Sequence, residues 1–344
     1  MKSFNNLLKC EFYKINRKKT LLKVGIAVVV IILLVMIAGL AMDYFIKQSG
    51  VQDVSSDYER QIAILEMQLD EIQAKEESSV LYKLIIVNEE YAVRAQITYY
   101  KFMLENNVPA GAVTPYSLGD ITALISSNYY SFASVCATTM MTLLIVFIIV
   151  MASKNTVGEF NNGTMKMQLI RPVNRNKFFT AKWLSVYVVS EGILLFSMII
   201  SFLVGLIAFG GSSPDVLIIA NATGALRVHP IAALIINFLL KSVQLFALLQ
   251  LTMFVNLLCK RNALAITINI LIMLVDLGVL AETIAAVPYV GFVGFFMNVN
   301  WESVLSTASP MLRGLTLWSM IPVTLAWVAF FTVMNYRNFA RKEI

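Results

Sequence analysis

Apolar residues gather in six long stretches of this chain, approximately 22–46, 129–153, 182–209, 231–258, 263–283 and 315–335. A helix crossing ~30 Å of hydrocarbon needs roughly 20 mostly apolar residues, so each stretch predicts a transmembrane helix. Pro322 lies near the start of the last one, a kink that neighbouring helices tolerate. A further apolar stretch, 284–299, is broken by Pro288, Gly291 and Gly294. It is too short to span, and it reads equally as a re-entrant hairpin or as an apolar loop packed on the bundle. The first stretch exceeds the usual ~7–15-residue core of a signal peptide, and no clean A-x-A site follows it, so it reads as a permanent helix.

Between the first two spans, 47–128 has a different pattern. Ile62, Leu65, Leu69 and Ile72 recur at spacings of three and four, the stripe of a helix with one packed face. Leu81, Leu84, Ile85, Asn88, Tyr91 and Ile97 predict a second helix, ending near Asn106-Asn107-Val108-Pro109, with a bend at Ser78-Ser79. The expectation is a helical hairpin, with too few heptads to establish a coiled coil. It serves either as a lid or docking element or as a solvated spacer. Before the first span, Phe4, Leu8, Phe12 and Ile15 share a helical face with Leu7 beside them, while Lys9, Lys14 and Asn16 lie elsewhere. A short basic amphipathic helix there is expected to lie in the membrane interface.

The predicted fold class is thus an all-α integral membrane protein. It has six transmembrane helices, an N-terminal interfacial helix, a helical extracytoplasmic hairpin between helices one and two, and a re-entrant hairpin before the last helix. Its parts are 1–21 (cytoplasmic interfacial helix), 22–46 (first transmembrane helix), 47–128 (extracytoplasmic helical domain) and 129–344 (transmembrane domain). The last part contains a cytoplasmic loop at 154–181.

Composition agrees: 58% of residues are hydrophobic and 14% charged, well under the quarter charged of a soluble domain. Charge then sets orientation. Residues 1–23 hold seven Lys or Arg, 154–182 hold six, and Lys260, Arg261, Arg337, Arg341 and Lys342 complete 18 of the 27 on one side. Short basic loops stay in the cytoplasm, so both termini are predicted inside a plasma membrane. The net charge of +6 is therefore a topology signal. Dispersed over four short flanks, it does not form a nucleic-acid surface. The segment 47–128 holds 12 of the 21 acidic residues.

Candidate chemistry is sparse. His229 is the only histidine, which leaves no His-based metal site or triad. Cys10, Cys136 and Cys259 indicate no disulfide framework. No Gly-Lys-Ser/Thr, G-x-S-x-G or H-E-x-x-H motif occurs, so no catalytic site, metal or cofactor is expected on this chain. Asn221-Ala-Thr223 and Asn162-Gly-Thr164 match the glycosylation pattern, but the second falls on the predicted inner side, so neither match carries weight.

Three ionisable residues fall well inside predicted spans, away from their ends: Glu191, Lys241 and Asp276. Such charges cost a few kcal/mol on insertion and are expected to face the bundle interior. At 1.5 Å per residue, Glu191 lies roughly 12–14 Å from the inner end of its span and Lys241 about 15 Å from the outer end of its own. That depth predicts a Glu191–Lys241 pair, either a gate in a substrate path or a lock on helix register. Asp276 has no evident partner and is a candidate for polar substrate.

The loop after the second span carries the most specific pattern, starting at Lys154 and running through Gly163 and Pro172. Gly163 permits a sharp bend. Thr164 is placed to cap a short helix with Met165, Leu169 and Ile170 as its apolar edge. Pro172 ends that helix. Arg175 and Lys177 are then expected to meet lipid head groups.

The run Glu159-Phe160, Gly163-Thr164, Lys166, Leu169, Pro172 and Arg175 resembles the signature of permeases of the type-two exporter class of ABC transporters. The specific motif covers 159–175, and the likeness in architecture covers nearly the whole chain. Two features depart from the family pattern: Asn174 stands where Ser or Thr is usual, and the 47–128 segment is larger than in the simplest members. The resemblance implies that 155–175 is a coupling helix seated in a groove of a separate ATPase subunit. Glu159 would then pair with a basic residue of that subunit and Phe160 fill an apolar pocket; the plainer alternative is that both merely anchor the loop. It further implies two ATPase subunits carrying ATP and Mg, a second permease subunit as homo- or heterodimer, and an amphipathic substrate such as a peptide or antibiotic. Two other functions compete: a peptide-sensing or immunity component whose ectodomain binds ligand without net transport, and an ion-coupled transporter, for which no internal repeat is evident.

Overall fold

The computed structural model describes residues 2–17, 19–49, 58–74, 80–106, 129–165, 174–209, 217–221, 224–276 and 317–341, together with Phe295, Val299 and Trp301. The described chain is almost entirely helical. In order, α1 is Lys2–Asn16, α2 Thr20–Ser49, α3 Tyr58–Ala74, α4 Val80–Glu105, α5 Tyr129–Ser153, α6 Arg175–Phe209, α7 Pro230–Leu258, α8 Asn262–Asp276 and α9 Leu317–Arg341. Five of these helices are long and apolar enough to cross a membrane: α2, α5, α6, α7 and α9. The protein is a multi-pass membrane protein.

The fifth predicted span, 263–283, is described only as α8, whose 15 residues cover roughly 22 Å at 1.5 Å each. Residues 277–283, the broken stretch 284–299 apart from Phe295 and Val299, and the predicted bend at Ser78-Ser79 lie outside the described residues. Several spans outrun their predicted bounds, α2 by two residues at its start and three at its end. α6 begins seven residues early at Arg175, α9 continues to Arg341, and α5 runs on through a π-helical stretch, Lys154–Gly158, to a last turn at Glu159–Asn161.

The helix α5 is the central rod. Its buried side chains Met141, Leu144, Ile148, Ile149 and Ala152 join one core with Phe179, Val186 and Leu194 of α6 and Leu245, Leu248 and Leu249 of α7. A second patch seats α2 on α5 through Val28 and Ile32 against Phe132, Cys136 and Met140. On the face of α6 turned to α5, Gly205 lies directly against the backbone of Tyr129. The first turn of α7 is made by local chemistry. His229 caps it, its Nδ1 accepting from the Ile231 amide at 3.3 Å, and Pro230 takes the first helical position.

Between α2 and α5, the helices α3 and α4 pack antiparallel. Tyr58 meets Tyr100, and Lys101 Nζ donates to Glu66 Oε1 at 2.9 Å. Ile62 and Leu65 of the predicted stripe are buried, while Leu69 and Ile72 are half-buried.

One small element stands beside the helices. The loop after α6 forms a β-hairpin, β1 Leu217–Asn221 and β2 Gly224–Val228, paired antiparallel with Asn221 opposite Gly224. It docks on α4: Arg227 Nη2 donates to Asn106 Oδ1 at 2.6 Å, and its guanidinium lies over the Phe102 ring. The strand-forming residues Leu217, Ile218 and Ile219 are too few to read as a span, and the hairpin's stability comes from this docking rather than from two strands alone.

Candidate functional site

The loop after α5 is rooted by a charged ring and an aromatic knot. The π-helical stretch widens the turn, buries Asn155, Thr156 and Val157, and rotates Glu159 toward the protein interior. Glu159 Oε2 accepts from Lys182 Nζ at 2.6 Å, and Glu159 Oε1 from Lys14 Nζ at 3.1 Å. Glu11 of α1 closes the ring, 2.7 Å from Lys14 Nζ and 3.4 Å from Lys182 Nζ. Two carboxylates and two ammonium groups thus join α1, the end of α5 and the first turns of α6. Lys182 has no exposed side-chain surface and Glu11 has 3%. Burial pulls the Lys14 ammonium toward lower pKa, but Glu11 and then Glu159 outweigh it and hold the group above the ordinary lysine value.

Beside the ring, Phe339 of α9 is fully buried and stacks on Phe179 with centroids 4.8 Å apart. Phe178 and Phe160 each approach the same ring at 6.3 Å. Arg175 Nη1 donates to the Ala340 carbonyl at 3.2 Å, and the hydroxyls of Thr180 and Tyr336 share a 2.6 Å hydrogen bond. The last turn of α5, the start of α6 and the end of α9 form one block.

Within the chain, Glu159 and Phe160 both anchor the loop, the plainer of the two roles expected for them. Glu159 is satisfied by two lysines of its own chain, and Phe160 packs on Phe339. Gly163 turns the chain at φ 68°, the left-handed region. Thr164 is not a cap: its residue is helical, and its hydroxyl donates to the Glu159 carbonyl at 3.2 Å. Lys166 and Pro172 lie outside the described residues. Arg175 is exposed at the first turn of α6.

The predicted Glu191–Lys241 ion pair does not form. Glu191 Oε2 instead accepts from Ser242 Oγ at 2.7 Å. Adjacent residues on a helix point about 100° apart, so presenting Ser242 to α6 directs Lys241 elsewhere. Lys241 is 1% exposed, one turn from Asn237, whose two amide atoms have no hydrogen-bond partner among the described residues. Asp276 is the last described residue of α8, and its side chain lies outside the described set.

The sequence reading missed Glu11, Lys182 and the inward turn of Lys14. A signal existed for Glu11: it falls between Leu7 and Ile15 on the apolar stripe of α1, where an acid needs a partner. Lys182 was masked by its position at a span's edge, where a lysine ordinarily meets lipid head groups.

Comparison with known proteins gives relatives without assigned activity. The chain is 22% identical over 251 residues to "Uncharacterized protein YhcI" of Bacillus subtilis (strain 168), a match covering 72% of this chain and 75% of that one. It is 28% identical over 208 residues to "Uncharacterized membrane protein YdbK" of the same organism, covering 59% of this chain and 78% of the relative. A family model described as "Protein of unknown function (DUF2705)" matches residues 84–344, most of the chain, and the protein therefore belongs to that family.

Proposed function

We propose that this chain is the transmembrane permease subunit of an ATP-driven exporter of the type-two ABC class. Both termini lie in the cytoplasm, ATP and Mg are held by two partner ATPase subunits, and a second permease subunit completes the pathway. The substrate is an amphipathic molecule such as a peptide or antibiotic. The single observation that carries this reading is how the motif-bearing loop is rooted. Residues 159–163 are locked by Glu159 to Lys14 and Lys182, and by Phe160 to Phe339. A push on this loop therefore reaches α1, α5, α6 and α9 together instead of being lost in a slack connection. Among the described residues, the face left for the ATPase is the exposed turn at Asn161 and Asn162 together with Arg175.

The test is purification of the full chain from native membranes in mild detergent, with the partner identified by mass spectrometry. The expected result is a stoichiometric polypeptide bearing a G-x-x-x-x-G-K-[ST] loop, crosslinked through Asn162→Cys. A folded chain that purifies alone, or Asn162→Cys labelled in intact cells by a membrane-impermeant thiol reagent, overturns the reading.

A further inference from the structure

An apolar groove of about 620 Å³ runs between α2 and α6. It exists because two glycines face it: a methyl group added at Gly25 or at Gly192 meets nothing within 4 Å. Leu22, Ile26, Val189 and Phe196 line it, and its surface is almost wholly apolar. Leu22 and Ile26 are more than half exposed. Both walls are helices long and apolar enough to cross a membrane, so the mouth opens on hydrocarbon rather than water.

We propose that this groove binds one acyl chain of an anionic phospholipid, with the head group held by Lys19 and Lys23. Size decides against a protein helix. A helix about 10 Å across fills roughly 400 Å³ per turn, so the groove would take under two turns, too little to seat a second copy's span. The volume lies instead within the ~300–1,000 Å³ range of small-ligand pockets. Charge selects the head group. Lys19 and Lys23 are exposed at the end of α2 where the groove begins, and Arg17 is exposed just before them. The nearest carboxylate in sequence, Glu11, is buried and neutralised by Lys14 and Lys182. Side chains on a helix lean toward its N-terminus, which carries the Lys23 ammonium away from the groove floor toward the head-group level. Lys19 adopts φ 53°, a left-handed residue in the short connection between α1 and α2.

The experiment reconstitutes the full chain in nanodiscs containing phosphatidylglycerol with a diazirine on its acyl chain, or phosphatidylcholine with the same chain. After photolysis, adducts are mapped by peptide mass spectrometry. The expected result is labelling concentrated at 21–30 and 189–196, with phosphatidylglycerol favoured over phosphatidylcholine. Each of Lys19→Gln and Lys23→Gln should lower that preference about fivefold. Gly25→Leu with Gly192→Leu should abolish these adducts while labelling elsewhere persists. If the glycine variants fail to fold, the wild-type map and the lysine variants decide. Adducts spread evenly over the lipid-facing helices, equal yields from the two lipids, or an efficient copy-to-copy disulfide through Ile26→Cys would overturn the proposal. It stands independently of any transport activity.

Discussion

Lys182 Nζ stands 2.6 Å from Glu159 Oε2, at a place where the lysine has no exposed surface. The two residues belong to different helices, α6 and the last turn of α5, and their ring with Glu11 and Lys14 is electrically neutral. Deleting one partner of such a pair strands the other charge, at a cost of about 3–5 kcal/mol. Glu159→Gln and Lys182→Met should each lower the thermal unfolding midpoint in detergent. The double variant should be less destabilised than the two losses added together, because neighbours in one network couple. Strictly additive losses would show that the ring does not act as a unit.

The same ring makes stability depend on alkaline pH through Lys14. Its ammonium is held above the ordinary lysine value of 10.5, net of burial, by Glu11 and Glu159. A raised folded-state pKa contributes stability that is fully present below the unfolded-state value and is lost as pH rises through the folded one. Unfolding midpoints measured from pH 8 upward should therefore fall once pH passes about 10. Lys14→Met should flatten part of that fall, and identical pH profiles for the two proteins would remove Lys14 from the account.

The spans were legible because membrane crossing imposes a length and a composition that no other constraint masks. Hence α2, α5, α6, α7 and α9 fall where apolar runs predict them. The ring was not legible, because its members are 11, 14, 159 and 182, and nothing in a linear pattern says which face of α1 meets α6. The π-helical stretch at Lys154–Gly158 was equally hidden. It turns Glu159 inward by altering the helical register, so that of the two roles the sequence left open for this residue the chain's own contacts make it an anchor. The Glu191–Lys241 expectation failed for a related reason: depth along two helices was estimated well, but the rotation of α7, which presents Ser242, was not. The hairpin at 217–228 is a tertiary effect, held by Arg227 on Asn106 and Phe102.

Gly163 offers a test of backbone conformation separated from packing. Its φ of 68° is left-handed, and a side chain there would meet nothing within 4 Å. The cost of substitution is therefore conformational alone, about 1–2 kcal/mol for an ordinary L residue. Gly163→Val should destabilise more than Gly163→Ala, and Gly163→Asn should be the mildest, since asparagine tolerates this region. Thermal unfolding of the three variants checks the order. Equal effects would mean that the turn relaxes out of the left-handed region.

Gly205 poses the opposite case, a glycine required by space rather than by φ. A Cβ at this position would lie 3.0 Å from Phe132 Cδ1, 3.1 Å from the Tyr129 carbonyl oxygen and 3.2 Å from Tyr129 Cα. Two of those three atoms are backbone, so they cannot swing aside as a side chain would. Small residues at helix crossings in membranes let backbones approach, and here the approach sets how α5 sits on α6. Gly205→Ala should cost about 1–3 kcal/mol by overpacking. Gly192 lies on the same helix with open space around it, so Gly192→Ala should be neutral or stabilising, by up to about 1 kcal/mol from helix propensity. Unfolding midpoints of the two variants, measured side by side in one detergent, separate the effects. The crossing geometry fails as the explanation if the substitution at 205 is as benign as the one at 192.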